Sequence, residues 1–348
     1  MFNEKYWVEK PVVVTGGASF IGSHLVDKLV ELGAKVTVID NFSSGKMENL
    51  AESKDKIDII KMDLEYDEFD KIVKVLKDNE IVFHLAAVHG GRGYIATHPA
   101  DVASIFAIDH RTFEASLKAG VEKVVYASSA CVYPPKLQTD EYRDYLIKEE
   151  DSDPFKLDDY LSADELYGWS KLMGEAQLIA FIKQYGLKGA NLRFVTVYGP
   201  RENETHAIIA LIYKAFERMD PYIIWGDGEQ ERDFTYVSDI VNGLILAAEK
   251  IDDGTPLNLG TGVKYKIKDI AELIFKIMGW RPNKLVFDKS KPVGVISRGL
   301  DITKARRLIG YEPKVTLEEG LRRTIEWYVK THERKGYVDE KILMERER

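Results

Sequence analysis

Val12-Val13-Val14-Thr15-Gly16-Gly17-Ala18-Ser19-Phe20-Ile21-Gly22 is the stretch whose reading decides the fold. The β-branched run Val12 to Thr15 has no polar alternation, which predicts a strand buried on both faces. Glycines follow at once, and then a helix carrying Leu25, Leu29 and Leu32 on one side. Gly33 closes that helix, and Lys35-Val36-Thr37-Val38-Ile39-Asp40 is a second buried strand. A bare glycine pattern also fits an ordinary tight βα turn. Strand, glycines, helix and second strand in register point instead to a turn that seats a pyrophosphate on the N–H groups of a helix start. Gly16, Ala18, Ser19, Phe20, Ile21 and Gly22 form that turn. Asp40, ending the second strand, would accept hydrogen bonds from an adenosine ribose and repel a 2′-phosphate, which favours NAD over NADP.

The βα rhythm continues through Ile57-Asp58-Ile59-Ile60, a helix over Phe69 to Leu76, and Ile81-Val82-Phe83-His84-Leu85. A helix through Ile105 to Leu117 and the strand Val124-Val125-Tyr126-Ala127 come next. Strands separated by helices predict an α/β fold with a doubly wound parallel sheet. Ligands of such sheets bind at the carboxyl ends of the strands. Three small or polar stretches fall there: the first glycine turn, Ala86-Ala87-Val88-His89-Gly90-Gly91, and Ser128-Ser129-Ala130-Cys131. After the last of these, Tyr167-Gly168-Trp169-Ser170-Lys171 opens a helix. At i and i+4 its phenol and ammonium share one helical face. Many surface helices carry that spacing by chance. Its position after the strand ends makes it an acid/base candidate, with Lys171 expected to draw the Tyr167 phenol down toward neutral pH.

Composition sets the outer limits. The 348 residues are 45% hydrophobic and 30% charged, enough for a large core in one or two domains. A net charge of −8 argues against nucleic acid or an anionic membrane as the main partner. No apolar run reaches membrane-spanning length, and the first residues lack a signal-peptide pattern. The single cysteine, Cys131, excludes an internal disulfide framework and fits a reducing cytoplasm. Acidic residues and histidines do not fall at metal-ligand spacing, so no metal site is expected.

Thr15-Gly16-Gly17-Ala18-Ser19-Phe20-Ile21-Gly22, Asp40, Asp63, His84-Leu85-Ala86-Ala87, Ser129 and Tyr167/Lys171 together resemble the extended short-chain dehydrogenase/reductases, specifically the NAD-dependent nucleotide-sugar epimerases and dehydratases. Tyr198-Gly199-Pro200-Arg201, Trp225-Gly226-Asp227-Gly228, Arg232-Asp233-Phe234 and Asn258-Leu259-Gly260 extend the resemblance over nearly the whole chain. It implies a Rossmann domain of residues 1–190 plus 233–262. It also implies a smaller α/β substrate domain of 191–232 plus 263–330, and a charged tail of 331–348. The implied cofactor set is Gly16, Ala18, Ser19, Phe20, Ile21, Gly22, Asp40, Asn41, Asp63, Leu64, Leu85, Ala86, Ala87, Tyr167 and Lys171. Asp40 would hold the adenosine ribose, Asp63 would approach the adenine and Lys171 would grip the nicotinamide ribose. Tyr167 would take the proton of the sugar C4 hydroxyl, with Ser129 sharing that hydrogen bond. A homodimer through two helices per subunit is implied as well. Two departures stand out: Ser19 replaces the middle glycine of the fingerprint, adding bulk beside the pyrophosphate, and Thr196 stands where many relatives carry asparagine.

Ketone formation at C4 acidifies the protons on C3 and C5, so a group near either carbon can invert it. In Ser128-Ser129-Ala130-Cys131-Val132-Tyr133-Pro134 a thiol stands two residues beyond Ser129, where simple 4-epimerases commonly have threonine. Val88-His89-Gly90-Gly91 resembles the sugar loop of GDP-mannose 3,5-epimerases and GDP-fucose synthases, which makes Gly90 and Gly91 substrate candidates. His206 heads the helix from Ala207, where those families place a histidine or lysine. In them a cysteine and this residue work from opposite faces of the ring. A thiol acts as a base only in its thiolate form. Taken alone, Cys131 reads as a small buried apolar residue and His206 as a surface histidine at a helix start. Their coincidence favours function. Ala130-Cys131 replaces the acidic pair of dehydratases, and Asp40 argues against an NADPH-dependent epimerase-reductase.

The expected activity is therefore transient C4 oxidation with a retained NAD, inversion at C3 and/or C5 by Cys131 and His206, and re-reduction. The alternatives are a UDP-hexose 4-epimerase, needing only Ser129, Tyr167 and Lys171, and a non-catalytic NAD-sensing protein. Arg232 and Arg298 match family positions that clamp the diphosphate of the nucleotide sugar, a task suited to guanidinium. Residues 134–163, rich in acids and tyrosines, form either a lid or an insertion.

Overall fold

The β-branched runs become strands because each buries side chains above and below one parallel sheet. In the computed structural model, residues 2–88, 90, 92–156, 162–291 and 293–333 are described. After a short helix α1 (Glu4–Trp7), the chain alternates β1 (Pro11–Thr15), α2 (Phe20–Glu31), β2 (Lys35–Asp40), β3 (Ile57–Lys61), α3 (Phe69–Leu76) and β4 (Ile81–His84). Then come α4 (Arg92–Thr97), α5 (Pro99–Ala119), β5 (Lys123–Ser129), α6 (Glu165–Tyr185) and β6 (Lys188–Phe194). With β10 (Asp253–Leu259), the described strands of the main sheet run in the order β10-β6-β5-β4-β1-β2-β3, every pairing parallel. Val12 and Val14 feed one core and Val13 the other, as a two-faced strand requires. Gly33 ends α2 at φ 87°, a conformation that suits a residue without Cβ.

The smaller sheet centres on β9 (Glu231–Tyr236), which pairs with β7 (Thr196–Tyr198), β11 (Lys264–Lys266) and β13 (Ser297–Arg298). A separate ribbon joins β8 (Tyr222–Trp225) to β12 (Leu285–Asp288). Around them lie α7 (Ala207–Phe216), α8 (Val237–Lys250), α9 (Ile267–Met278), α10 (Thr303–Ile309) and α11 (Leu317–Glu333). The expected domain limits at 190/191 and 232/233 fall inside β6 and β9. β6 stays in the main sheet to Phe194, whereas β9 belongs to the smaller one. Most of the expected tail, 334–348, lies outside the described residues.

The segment from Pro134 that sequence periodicity left undefined is stitched down. Ile147 bridges to Leu300, and its amide donates to Gly299 O at 3.0 Å. Arg193 of β6, fully buried, holds the segment from beneath. Its guanidinium donates to both Glu175 carboxylate oxygens (2.9 and 2.7 Å), to Glu149 O (2.9 Å), to Ser152 O (2.7 Å) and to the Tyr133 hydroxyl (3.1 Å). Residues 157–161 of the expected loop lie outside the described residues.

Candidate active site

The glycine turn is built to bring backbone close to backbone. A Cβ on Gly22 would stand 2.1 Å from Gly16 O, and one on Gly16 (φ 67°) 2.9 Å from the Ala86 amide. Ser19 caps α2. Its hydroxyl donates back to Gly16 O at 2.6 Å and accepts from the Gly22 amide at 3.3 Å. The bulk expected beside a pyrophosphate is therefore folded into the turn itself. Asp40 is buried at the end of β2, where its carboxylate accepts from the amides of Ala18 (2.9 Å) and Phe42 (2.8 Å). Burial pushes its carboxyl up, and those N–H groups oppose the shift. Farther along the strand ends, Asn41 donates to Asp63 at 2.9 Å, and both line a surface depression with Lys61, Met62 and Asp67. Leu64 is buried behind them.

Beneath the strand ends lies a buried polar plinth. The amides of Leu85 and Ala86 donate to Thr15 Oγ1 (both 3.2 Å), so that hydroxyl gives its own proton to His84 Nδ1 at 2.8 Å. His84 Nε2 then donates to Asp109 at 3.0 Å, and Tyr126 OH donates to the other Asp109 oxygen at 2.5 Å. Burial holds His84 below the ordinary histidine range, consistent with this neutral tautomer. Lys171 Nζ sits 4.8 Å from the centre of the Tyr126 ring and donates to Ala127 O at 3.0 Å.

Tyr167, Ser129 and Cys131 meet above this plinth. Helix α6 can approach because Gly168 faces the Cys131 carbonyl, where a Cβ would come within 2.1 Å. Ser129 Oγ accepts from the Cys131 amide at 3.1 Å and lies near enough to the Tyr167 phenol to favour its charged form. Burial raises the Tyr167 phenol well above its ordinary value; negative charge at Cys131 and Asp109 pushes the same way, and Ser129 pulls back. The expected depression by Lys171 is thus not what this geometry delivers, because the ammonium is turned onto Ala127 O and the surrounding protein disfavours charge. Burial likewise lowers the Lys171 ammonium, while Asp109 and Glu175 resist.

Of the two expected diphosphate arginines, Arg298 is drawn to this cluster. Its Nη1 donates to Cys131 Sγ at 3.3 Å, its Nη2 to Asp164 at 2.6 Å and its Nε to Gln138. Arg232, its partner in strand register, braces the carbonyls of Val293 (2.9 Å) and Val295 (2.5 Å). His206 is held separately at the start of α7, its Nδ1 at 2.9 Å from the buried Glu202 carboxylate. A proton on Nδ1 leaves the basic lone pair on Nε2. Gly90 lies against the Tyr94 side chain, and Gly91 lies outside the described residues. Sequence reasoning missed Asp164, Gln138, Glu202 and Asp109. Glu202, four residues before His206, was the only one whose spacing offered a signal.

Residues 12–260 match the family model for the NAD dependent epimerase/dehydratase family. The chain belongs to that family. Its cofactor is NAD, and the crowded turn, the α2 start and the buried Asp40 carboxylate fit a dinucleotide. A putative UDP-glucose 4-epimerase of Methanocaldococcus jannaschii is 32% identical over 322 residues, 91% of this chain and 97% of that protein. GDP-mannose 3,5-epimerase 1 of Oryza sativa subsp. indica is 30% identical over 332 residues, 93% and 83% of the two chains. The solved UDP-glucose 4-epimerase of Thermotoga maritima, bound to UDP-glucose, superposes with a TM-score of 0.81 at 33% identity, covering 92% of this chain and 99% of that one. Among the described residues no helix is long and apolar enough to cross a membrane, and no group of three metal-ligating side chains forms.

Proposed function

We propose that this enzyme is a nucleotide-sugar epimerase that inverts C3 and/or C5 of the hexose through a transient C4 ketone. The observation that carries the reading is the placement of the Cys131 thiol on the turn directly after Ser129, beside the Tyr167 phenol. NAD, when bound, supplies the hydride acceptor and returns the hydride at the end. Tyr167 would take the C4 hydroxyl proton beside the Ser129 hydroxyl. Because burial raises its phenol, it would act as a base only when a positive charge brought by the bound ligands favours the phenolate. Lys171, anchored on Ala127 O, fixes the face of α6 that presents the phenol. Oxidation comes first, because only the C4 ketone acidifies the protons on C3 and C5; deprotonation of the ring carbon by Cys131 follows. His206 would return the proton on the other face from Nε2 as the imidazolium, with Glu202 accepting from Nδ1. Arg232 would contribute to the hold on the diphosphate. The Oryza relative, named for this activity and matched over 93% of the chain, supports the reading.

A second reading, UDP-hexose 4-epimerase, is favoured by the names of the Methanocaldococcus and Thermotoga proteins. It needs only Ser129, Tyr167 and Lys171. Incubation with GDP-mannose and with UDP- and dTDP-hexoses in deuterated water separates the two. Deuterium at C3 or C5 by NMR, lost in Cys131→Ser, is the expected outcome. Conversion at C4 without deuterium would instead establish the 4-epimerase.

A further inference from the structure

We infer that Arg298 is a positioning residue that stabilises the thiolate of Cys131, with Asp164 setting how strongly it does so. This deepens the epimerase reading and rests on it for its catalytic meaning, but the contact stands on geometry alone. Arg298 comes from β13 of the smaller sheet, whereas Cys131 lies on the turn after β5 of the main sheet. The side chain crosses between them with little exposure and ends with Nη1 at 3.3 Å from the sulfur. Donation from a guanidinium to sulfur is much stronger toward a thiolate than toward a thiol.

Each side of this contact is fixed. The Gln138 amide donates to Tyr133 O (3.0 Å) and Pro134 O (3.2 Å), which forces its oxygen toward Arg298 Nε. Asp164 takes Nη2 at 2.6 Å and is itself almost fully buried. The Cys131 amide is tied to Ser129 Oγ, and its carbonyl accepts from the Asp164 amide at 2.8 Å. Gly168 packs against the Cys131 carbonyl, so the backbone that carries the thiol is fixed against α6. The charges then oppose one another in a defined way. Arg298 favours a negative sulfur, whereas Asp164 and a Tyr167 phenolate disfavour one. Such a balance suits a group that must be available as a thiolate and still basic enough to take a ring proton, since a fully stabilised thiolate would be a poor base.

The chain has one cysteine, so its alkylation can be followed without background. Iodoacetamide consumes only the thiolate, and the rate is read on the full protein at pH 7 with no sugar present. Arg298→Met should slow alkylation at least tenfold, with Arg298→Lys between it and the parent protein. Asp164→Asn, which keeps the side-chain shape but removes the opposing charge, should accelerate alkylation at least threefold. Loss of packing alone would move both variants in the same direction, so the opposite signs are the signature. Equal or faster alkylation in Arg298→Met, or no acceleration in Asp164→Asn, overturns the inference. Should Arg298→Met not fold, the Asp164→Asn rate decides. Because the assay needs no turnover, absence of deuterium at C3 and C5 would sink the epimerase reading and leave this result standing. The converse holds equally.

Discussion

Replacing Arg193 tests whether the segment from Pro134 to Lys156 is held from below by one buried guanidinium. Arg193→Met leaves the Glu175 carboxylate in the interior with Ser128 as its neighbour and strips donors from Glu149 O, Ser152 O and Tyr133 OH. Breaking a buried ion pair by removing one partner costs roughly 3–5 kcal/mol. Each of the three orphaned buried acceptors adds about 1 kcal/mol or more, so a total loss of roughly 6–8 kcal/mol is expected. Glu175→Gln should cost about 3 kcal/mol, since one hydrogen-bonding oxygen remains. The double variant Arg193→Met/Glu175→Gln removes both charges and should be more stable than the sum of the single losses allows, with a coupling of about 2–3 kcal/mol. Urea unfolding followed by tryptophan fluorescence measures all three. A loss below about 2 kcal/mol in Arg193→Met, or strict additivity in the double variant, would refute the view that this pair anchors the segment.

Asp40→Asn removes the charge while retaining an acceptor for the Ala18 or Phe42 amide. Loss of charged hydrogen bonds to a ribose should weaken NAD binding roughly tenfold and narrow the preference over NADP, as titration calorimetry with both dinucleotides would show. His24 donates from Nε2 to Pro200 O at 3.0 Å, and burial lowers it to about 4. The unfolded chain therefore binds a proton below about pH 6.5 that the folded chain refuses until near 4. Stability from this group is complete above that window and falls as pH drops through it. His24→Gln, which keeps a donor, should flatten that part of the stability–pH curve.

The main sheet was legible because its information is local. Val12 to Val14 bury two faces wherever they lie, and Gly16 and Gly22 must lack Cβ for the turn to close. Helix limits such as Phe69–Leu76 follow from apolar periodicity alone. The Tyr167/Lys171 spacing and the Ser129–Cys131 pairing are likewise properties of short segments. The domain limits were less legible, because β9 resembles any half-buried strand until its partners are known.

What the sequence could not supply was the electrostatic setting of those same residues. A lysine one turn from a tyrosine suggests a lowered phenol, yet burial outweighs that proximity and raises Tyr167. Arg298 reads as a phosphate ligand by position, and its contacts with Gln138, Asp164 and the Cys131 thiol exist only in the fold. Asp109, Asp164 and Glu202 look like ordinary acidic residues in the sequence and become buried charges only in the fold. Strand and helix patterns are set by neighbours a few residues away. Charge states are set by desolvation and by partners more than a hundred residues distant, and these exist only after the chain has folded.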